Sequence, residues 1–258
     1  DSEGLRDSTM IFVWGDHGPA FLRAKQWCYD EGLRVPLLLG GPGIEPAVRD
    51  ELVSSVDLAA TALAACGIDV PAGMDGRDLL DEQAPDREVV FAGRDRCDET
   101  EDRVRAIRDR RYKLIANLRP ELSWVGRNAY TRRSFPSVGE LLEMRGRPAE
   151  LTGAQAALLA SEKPRWELYD TQQDPLELRN LSGQAEYAEG EADLRKRLEA
   201  WVAEVDRDNP WPEPLRNVVP ALARERVSRQ RYIDGAAEDL PKVLVIGDSI
   251  SIGYTPFV

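Results

Sequence analysis

The stretch "FVWGDHGPAFLRAKQWCYDEGLRVP" runs from Phe12 to Pro36, and "LLLGGPG" follows it. It holds the only histidine of a 258-residue chain, His17, placed directly after Asp16. Thr9–Trp14 is a short apolar, partly β-branched run that stops at Gly15, and Val35–Leu39 repeats the pattern before Gly40. Both read as buried strands, joined by a loop with a short helix at most. Val56–Cys66 is rich in alanine and leucine. Ser54 and Ser55 before it are candidate N-caps, and Gly67 after it is the candidate C-cap. Strand, loop, strand and helix make an α/β pattern.

Asp16 and His17 then stand at the end of a strand, in a turn flanked by Gly15 and Gly18. In open α/β sheets, ligands gather at that edge. A carboxylate suits a hard cation such as Ca²⁺ or Mg²⁺, and an imidazole suits Mn²⁺ or Zn²⁺ better, so the pair can offer two ligands to one divalent ion. Lys25, nine residues beyond Asp16, is a mobile point charge able to hold an anion. The alternative reading of the same residues is a capping carboxylate beside a surface histidine.

The second half has a different texture. Glu88–Ala92 reads as a strand, and Val104–Leu118 as two alternating runs about Asp109–Arg110, an antiparallel hairpin. Residues 120–148 read as irregular, Thr152–Ala160 as helical and Arg165–Asp170 as a further strand. From Glu191 to Val205, Leu194, Leu198, Trp201, Val202 and Val205 share one helical face. Residues 206–240 carry clustered prolines and charges and read as a linker. "KVLVIGDSISIGY" after it reads as a strand, a turn and a helix start.

Composition narrows the function. The formal net charge is −12, which argues against nucleic-acid or anionic-membrane binding, since both need a basic footprint. An anionic small substrate stays open, because local cations can invert the field within a cleft. The three cysteines, Cys28, Cys66 and Cys97, form neither a disulfide framework nor a CxxC pair. No apolar run is long enough to span a membrane. The chain opens without an initiator methionine or signal peptide and stops just after a new motif, so it is expected to be part of a longer chain.

Several of these words together resemble the later half of a sulfatase of the alkaline-phosphatase superfamily. The carriers are Gly15-Asp16-His17-Gly18, then Lys25, Tyr29, Asp30, Gly32, Arg34, Val35 and Pro36 in the pattern K-x-x-x-Y-[ED]-x-G-x-R-V-P. "SSVDLAATALAACGIDVPAGMDGRDL" follows, with Ala60 where the family usually has proline. "AGRDRCDETEDRVRAIRDRRYKLIANL" and "RWELYDTQQDPLELRNLS" complete the likeness, which spans roughly residues 1–209. The resemblance implies that Asp16 and His17 ligate one divalent cation, usually Ca²⁺ with Mg²⁺ or Mn²⁺ as alternatives. It implies that Lys25 contacts sulfate oxygens and steadies the leaving group, and that Arg34 is structural. Arg94 and Arg96, with Asp95, are candidates for the substrate pocket, with surface salt bridging the competing reading. The family nucleophile, a formylglycine made within C/S-x-P/A-x-R, has no match among the cysteines, and Ser134-Phe-Pro lacks the arginine. It is expected upstream, which would leave this chain inactive alone.

"KVLVIGDSISIGY" resembles the first block of SGNH (GDSL-type) hydrolases, with Ser249 at the nucleophile position. The histidine that would partner it is absent, since His17 belongs to the other module.

The fold expected is therefore α/β: the C-terminal part of an alkaline-phosphatase-like sulfatase sandwich, a smaller antiparallel-sheet subdomain, then a linker and the start of a flavodoxin-like SGNH domain. The expected boundaries are 1–87, 88–209, 210–240 and 241–258. The expected substrate is a small-molecule or carbohydrate sulfate ester, and family habit implies a periplasmic or secreted location. An SGNH-type esterase as the main activity, and a phosphatase or phosphonate hydrolase of the same superfamily, are the alternatives, with a binding protein lacking either activity as a further one.

Overall fold

The structure is a computed structural model and describes residues 4–97, 100–125 and 127–207. The linker, the segment 241–258 and the candidate nucleophile Ser249 lie outside the described residues.

Six strands form two antiparallel sheets. In the first, β1 (Ile11–Trp14) pairs with β2 (Leu37–Gly40), Ile11 opposite Gly40 and Trp14 opposite Leu37. The expectation of buried strands holds only for Phe12: Ile11, Val13 and Leu38 are each more than half exposed. A two-stranded ribbon has two faces and two open edges, and the described residues cover only part of them. Between the strands, α1 (Asp30–Leu33) is a single turn.

The next helix, α2 (Val56–Ala65), starts and ends where its sequence says, with one correction. Neither serine caps it through its side chain. The Ser54 N–H donates to Asp57 Oδ2 at 2.8 Å instead, and the Asp57 carboxylate also receives the Arg77 N–H and pairs with Arg87. An aspartate within the first turn suits the helix dipole as a serine cannot. At the other end Gly67 takes φ +70°, with Ile68 N–H donating to Leu63 O and Gly67 N–H to Ala64 O, a Schellman closure.

The second sheet is a meander, β3 (Val90–Cys97), β4 (Thr100–Arg108), β5 (Tyr112–Asn117) and β6 (Trp166–Asp170), in that spatial order. Period-two alternation gives it two buried faces. Ile107, Leu114, Ala116 and Leu168 meet Leu194 and Leu198 of α6 (Ala188–Val205), and Phe91 stacks on Trp201 at 4.8 Å. Val104, Ala106, Ile115 and Tyr169, on the opposite face, receive Trp27, Cys28 and Tyr29 from the segment that follows Lys25. The stretch 120–148, expected to be irregular, holds α3 (Ala129–Ser134) and α4 (Pro136–Glu143). Asn128 caps α3 by accepting the Thr131 N–H at 2.8 Å, and Pro136 starts α4 at the position where its missing N–H costs nothing. A further short helix, α5 (Gly153–Leu158), carries a Thr152–Gln155 capping box.

The face that holds Trp27 and Tyr29 also buries charge. Lys113, 1% exposed, lies between Asp30 and Glu177, the latter at 2.8 Å. Glu177 accepts the Asp30 N–H at 2.6 Å, and Arg108 grips both Asp30 oxygens at 2.8 Å. Glu167 accepts hydroxyl bonds from Tyr29 at 2.9 Å and Tyr169 at 2.6 Å. These bonds fix the loop to the sheet.

No helix among the described residues is long and apolar enough to cross a membrane.

Two stability predictions follow from these contacts. Lys113→Met strands Glu177 without its ammonium and is expected to cost about 3–5 kcal/mol in urea unfolding; adding Glu177→Leu recovers part of that loss. At the C-terminal end of α6, burial acts to raise the Asp206 carboxyl, but bonds from Arg105 and Arg103 outweigh it and hold it below its usual range. A carboxyl depressed in the folded state contributes stability that is full above the unfolded value and is lost as pH falls through it. Unfolding free energy should therefore fall less steeply below about pH 4 in Asp206→Asn than in the parent.

Candidate functional site

The site is built on a loop closed at its base. Gly15 N–H donates to Pro36 O at 3.2 Å and Gly18 N–H to Gly32 O at 3.0 Å. A Cβ on Gly18 would fall 1.6 Å from Glu31 O, and one on Gly32 would fall 2.2 Å from Ala24 O. Only glycine permits the two chain segments to touch in this way.

Inside that turn, the His17 N–H donates to Asp16 Oδ1 at 2.9 Å. The ring Nδ1 sits 2.6 Å from Gly18 O. A carbonyl oxygen only accepts, so the proton is assigned to Nδ1 and the lone pair to Nε2. Nε2 is buried, has no hydrogen-bond partner and lies 3.5 Å from Asp16 Oδ2. A histidine whose far nitrogen is tied to a backbone carbonyl, and whose free lone pair converges with a carboxylate, has the arrangement of a metal ligand. The residues therefore fit a divalent cation. Among the described residues no group of three histidine, cysteine or acidic side chains gathers, so these two make a partial ligand set. Asp16 also borders a cleft of about 440 Å³, shared with Arg34, Ser54, Arg108 and Lys113.

Lys25 lies on the same closed loop. Its N–H donates to Pro19 O at 3.1 Å, and its ammonium stands 5.6 Å from the Tyr130 ring centre. It makes no ion pair with Asp16 or any other described carboxylate. Next to it, Gln26 takes φ +80°, a conformation rare for a residue with a side chain. That reversal separates Lys25 from the buried run Trp27–Tyr29. Cys28 in that run is an inert thiol, its pKa pushed up to about 11 by burial.

Of the remaining candidates, Arg94 belongs to this region. It stands opposite Val104 on the Trp27 face, its guanidinium 4.6 Å from the Trp27 ring. Nη2 donates to Thr100 Oγ1 at 3.2 Å, while Nε and Nη1 are buried without partners, and burial pushes its pKa down. Asp95 pairs with Arg105 at 2.8 Å. A bulge between Arg94 and Arg96 shifts the register, and Arg96 falls opposite Glu101. Sequence reading passed over Arg127, Lys163 and Asp102, which surround Arg94 in charge. Arg127 and Lys163 lie in stretches without periodicity, and Asp102, inside the quoted segment from Ala92 to Leu118, is one of its many charged residues.

Residues 1–68 match the Sulfatase family model. An ulvan-active sulfatase of Formosa agariphila is 35% identical over 216 residues, covering 83% of this chain and 36% of that relative. Among solved structures, a 2-O GAG sulfatase superposes with TM-score 0.55 at 23% identity, over 78% of this chain and 37% of that one. A protein solved in complex with its substrate D-glucosamine-2-N,6-O-disulfate gives TM-score 0.54 at 22% identity, over 83% and 38%. The chain thus spans little more than a third of the length of these proteins. The family match and the relatives support the sulfatase assignment, and the two structures share its α/β fold with antiparallel sheets.

Gly18→Ala tests the closed loop. The added methyl drives into Glu31 O, and a loss of about 3 kcal/mol is expected, read as a fall in Tm, together with loss of the Gly18–Gly32 amide's protection from hydrogen exchange.

Proposed function

We propose that this chain supplies the cation-binding turn, the sulfate-binding lysine and the C-terminal subdomain of a hydrolase of sulfate esters, with a sulfated carbohydrate as substrate. The observation that carries this reading is the His17 ring: Nδ1 held by Gly18 O, Nε2 unpartnered and turned toward Asp16. Its place in a segment that matches the Sulfatase family, with Lys25 on the same loop, adds to it. Relatives whose names refer to ulvan and to sulphoglucosamine support a sulfated sugar as substrate.

Asp16 and His17 would hold the divalent cation, Ca²⁺ by family habit with Mg²⁺ or Mn²⁺ as alternatives, and it would neutralise charge on the sulfate oxygens when bound. The Gly18 carbonyl would accept the Nδ1–H and so leave the Nε2 lone pair for the cation. Lys25 binds a sulfate oxygen and balances charge that develops toward the leaving oxygen. Tyr130, stacked beneath the ammonium, limits its wander. The sequence contains no C/S-x-P/A-x-R segment, so the nucleophile is proposed to come from sequence outside these 258 residues.

In a protein that joins this sequence to such a segment, Lys25→Ala is expected to lower kcat for a 4-nitrophenyl or sugar sulfate by about 10²–10³ with the fold intact. Asp16→Asn should abolish activity that excess Ca²⁺ restores in the parent after chelation. Unchanged turnover in both variants would refute the assignment.

A further inference from the structure

Three cations surround one carboxylate beside Trp27. Asp102 is fully buried and pairs with Lys163, equally buried, at 2.8 Å. Its remaining oxygen accepts the Arg103 N–H at 2.8 Å. Arg127 stands 3.6 Å from the Oδ2 already used by Lys163. Lys163 also donates to Leu122 O at 2.8 Å and stands 5.6 Å from the Trp27 ring centre. Arg94 stands 4.6 Å from that ring centre, with two of its three nitrogens buried and unpartnered. The charges of Arg94, Arg127 and Lys163 act on one another, and Asp102 offsets a single unit.

Buried guanidinium N–H groups without acceptors are costly, and an anion arriving from outside would satisfy the two on Arg94. A planar fork stacked on an indole is held ready for a carboxylate or a sulfate, both of which offer paired oxygens. Arg127, with 29% of its side chain exposed, gives the cluster its opening to solvent. Trp27 lies two residues from Lys25, so their Cα atoms are at most about 7 Å apart. We infer that Arg94, Arg127 and Lys163 form an anion subsite that receives a second negatively charged group of the substrate, while Lys25 holds the sulfate to be cleaved. The inference deepens the sulfate-ester reading and rests on it for the identity of the substrate. It narrows the substrate class to glycans that carry a further anionic group, a second sulfate or a uronate.

The test is a titration of the full 258-residue chain with glucuronate, glucose 6-sulfate and neutral glucose, followed by tryptophan fluorescence and by Tm. Both anions should bind saturably and raise Tm, the stronger of them identifying the group. The fluorescence change should vanish in Trp27→Phe. Kd should rise at least tenfold in Arg94→Gln and in Arg127→Gln, and less in Arg94→Lys, which keeps the charge but loses the fork. The partly exposed Arg127 guards against misfolding of the Arg94 variant. Equal Kd in the parent and both glutamine variants, or equal binding of glucose, would overturn the subsite. Anion binding should survive Asp16→Asn, which removes a proposed cation ligand. In a protein that also carries the nucleophile segment, anion binding that persists while Lys25→Ala leaves sulfate-ester turnover unchanged would refute the function and leave the subsite standing.

Discussion

A lysine ammonium enclosed by two carboxylates holds this structure together. Lys113 extends from the middle of the larger sheet and is almost wholly buried between Asp30 and Glu177. Those acids come from opposite ends of the sequence, one from the turn after the Lys25 loop and one from the loop after β6. Burying three charges is expensive, and it is tolerable only because each has partners: the Asp30 amide reaches Glu177, and Arg108 grips the other side of Asp30. Tyr29 repeats the device one residue earlier through Glu167. Distant segments are thereby brought into one body, and the functional loop is anchored at its far end as well as at its glycine base.

The anchoring explains the shape of the candidate site. Between the Gly18–Gly32 contact and the Tyr29–Asp30 ties, the chain has little freedom, and the reversal at Gln26 divides what is left. Lys25 falls on one side of it and Trp27 on the other. Strain at such a position persists only where the surroundings over-determine it, as the closed base and the buried aromatic run do here.

How far the sequence could be read depended on the range of the forces involved. Alternation along Val104–Leu118 is local, and it yielded the hairpin. Gly67 ended α2 as its position implied. The serines before that helix misled, because the amides their hydroxyls would accept, those of Asp57 and Leu58, bond to the Ser54 and Ser55 carbonyl oxygens instead. Residues 120–148 hid two short helices, whose Asn128 and Pro136 starts are faint without an apolar stripe to follow. Asp16, His17 and Lys25 were legible because they fall within one contiguous motif. Lys113, Asp102, Lys163 and Arg127 were not: each owes its meaning to a partner at least 20 residues away, and nothing adjacent to them in the chain marks the pairing.

The ribbon of β1 and β2 has a practical bearing on any work with this polypeptide. The side chains of Ile11, Val13 and Leu38 are more than half exposed, and a two-stranded ribbon has edges on which another strand can pair. An open edge of that kind favours pairing between copies, so dilute handling suits this polypeptide.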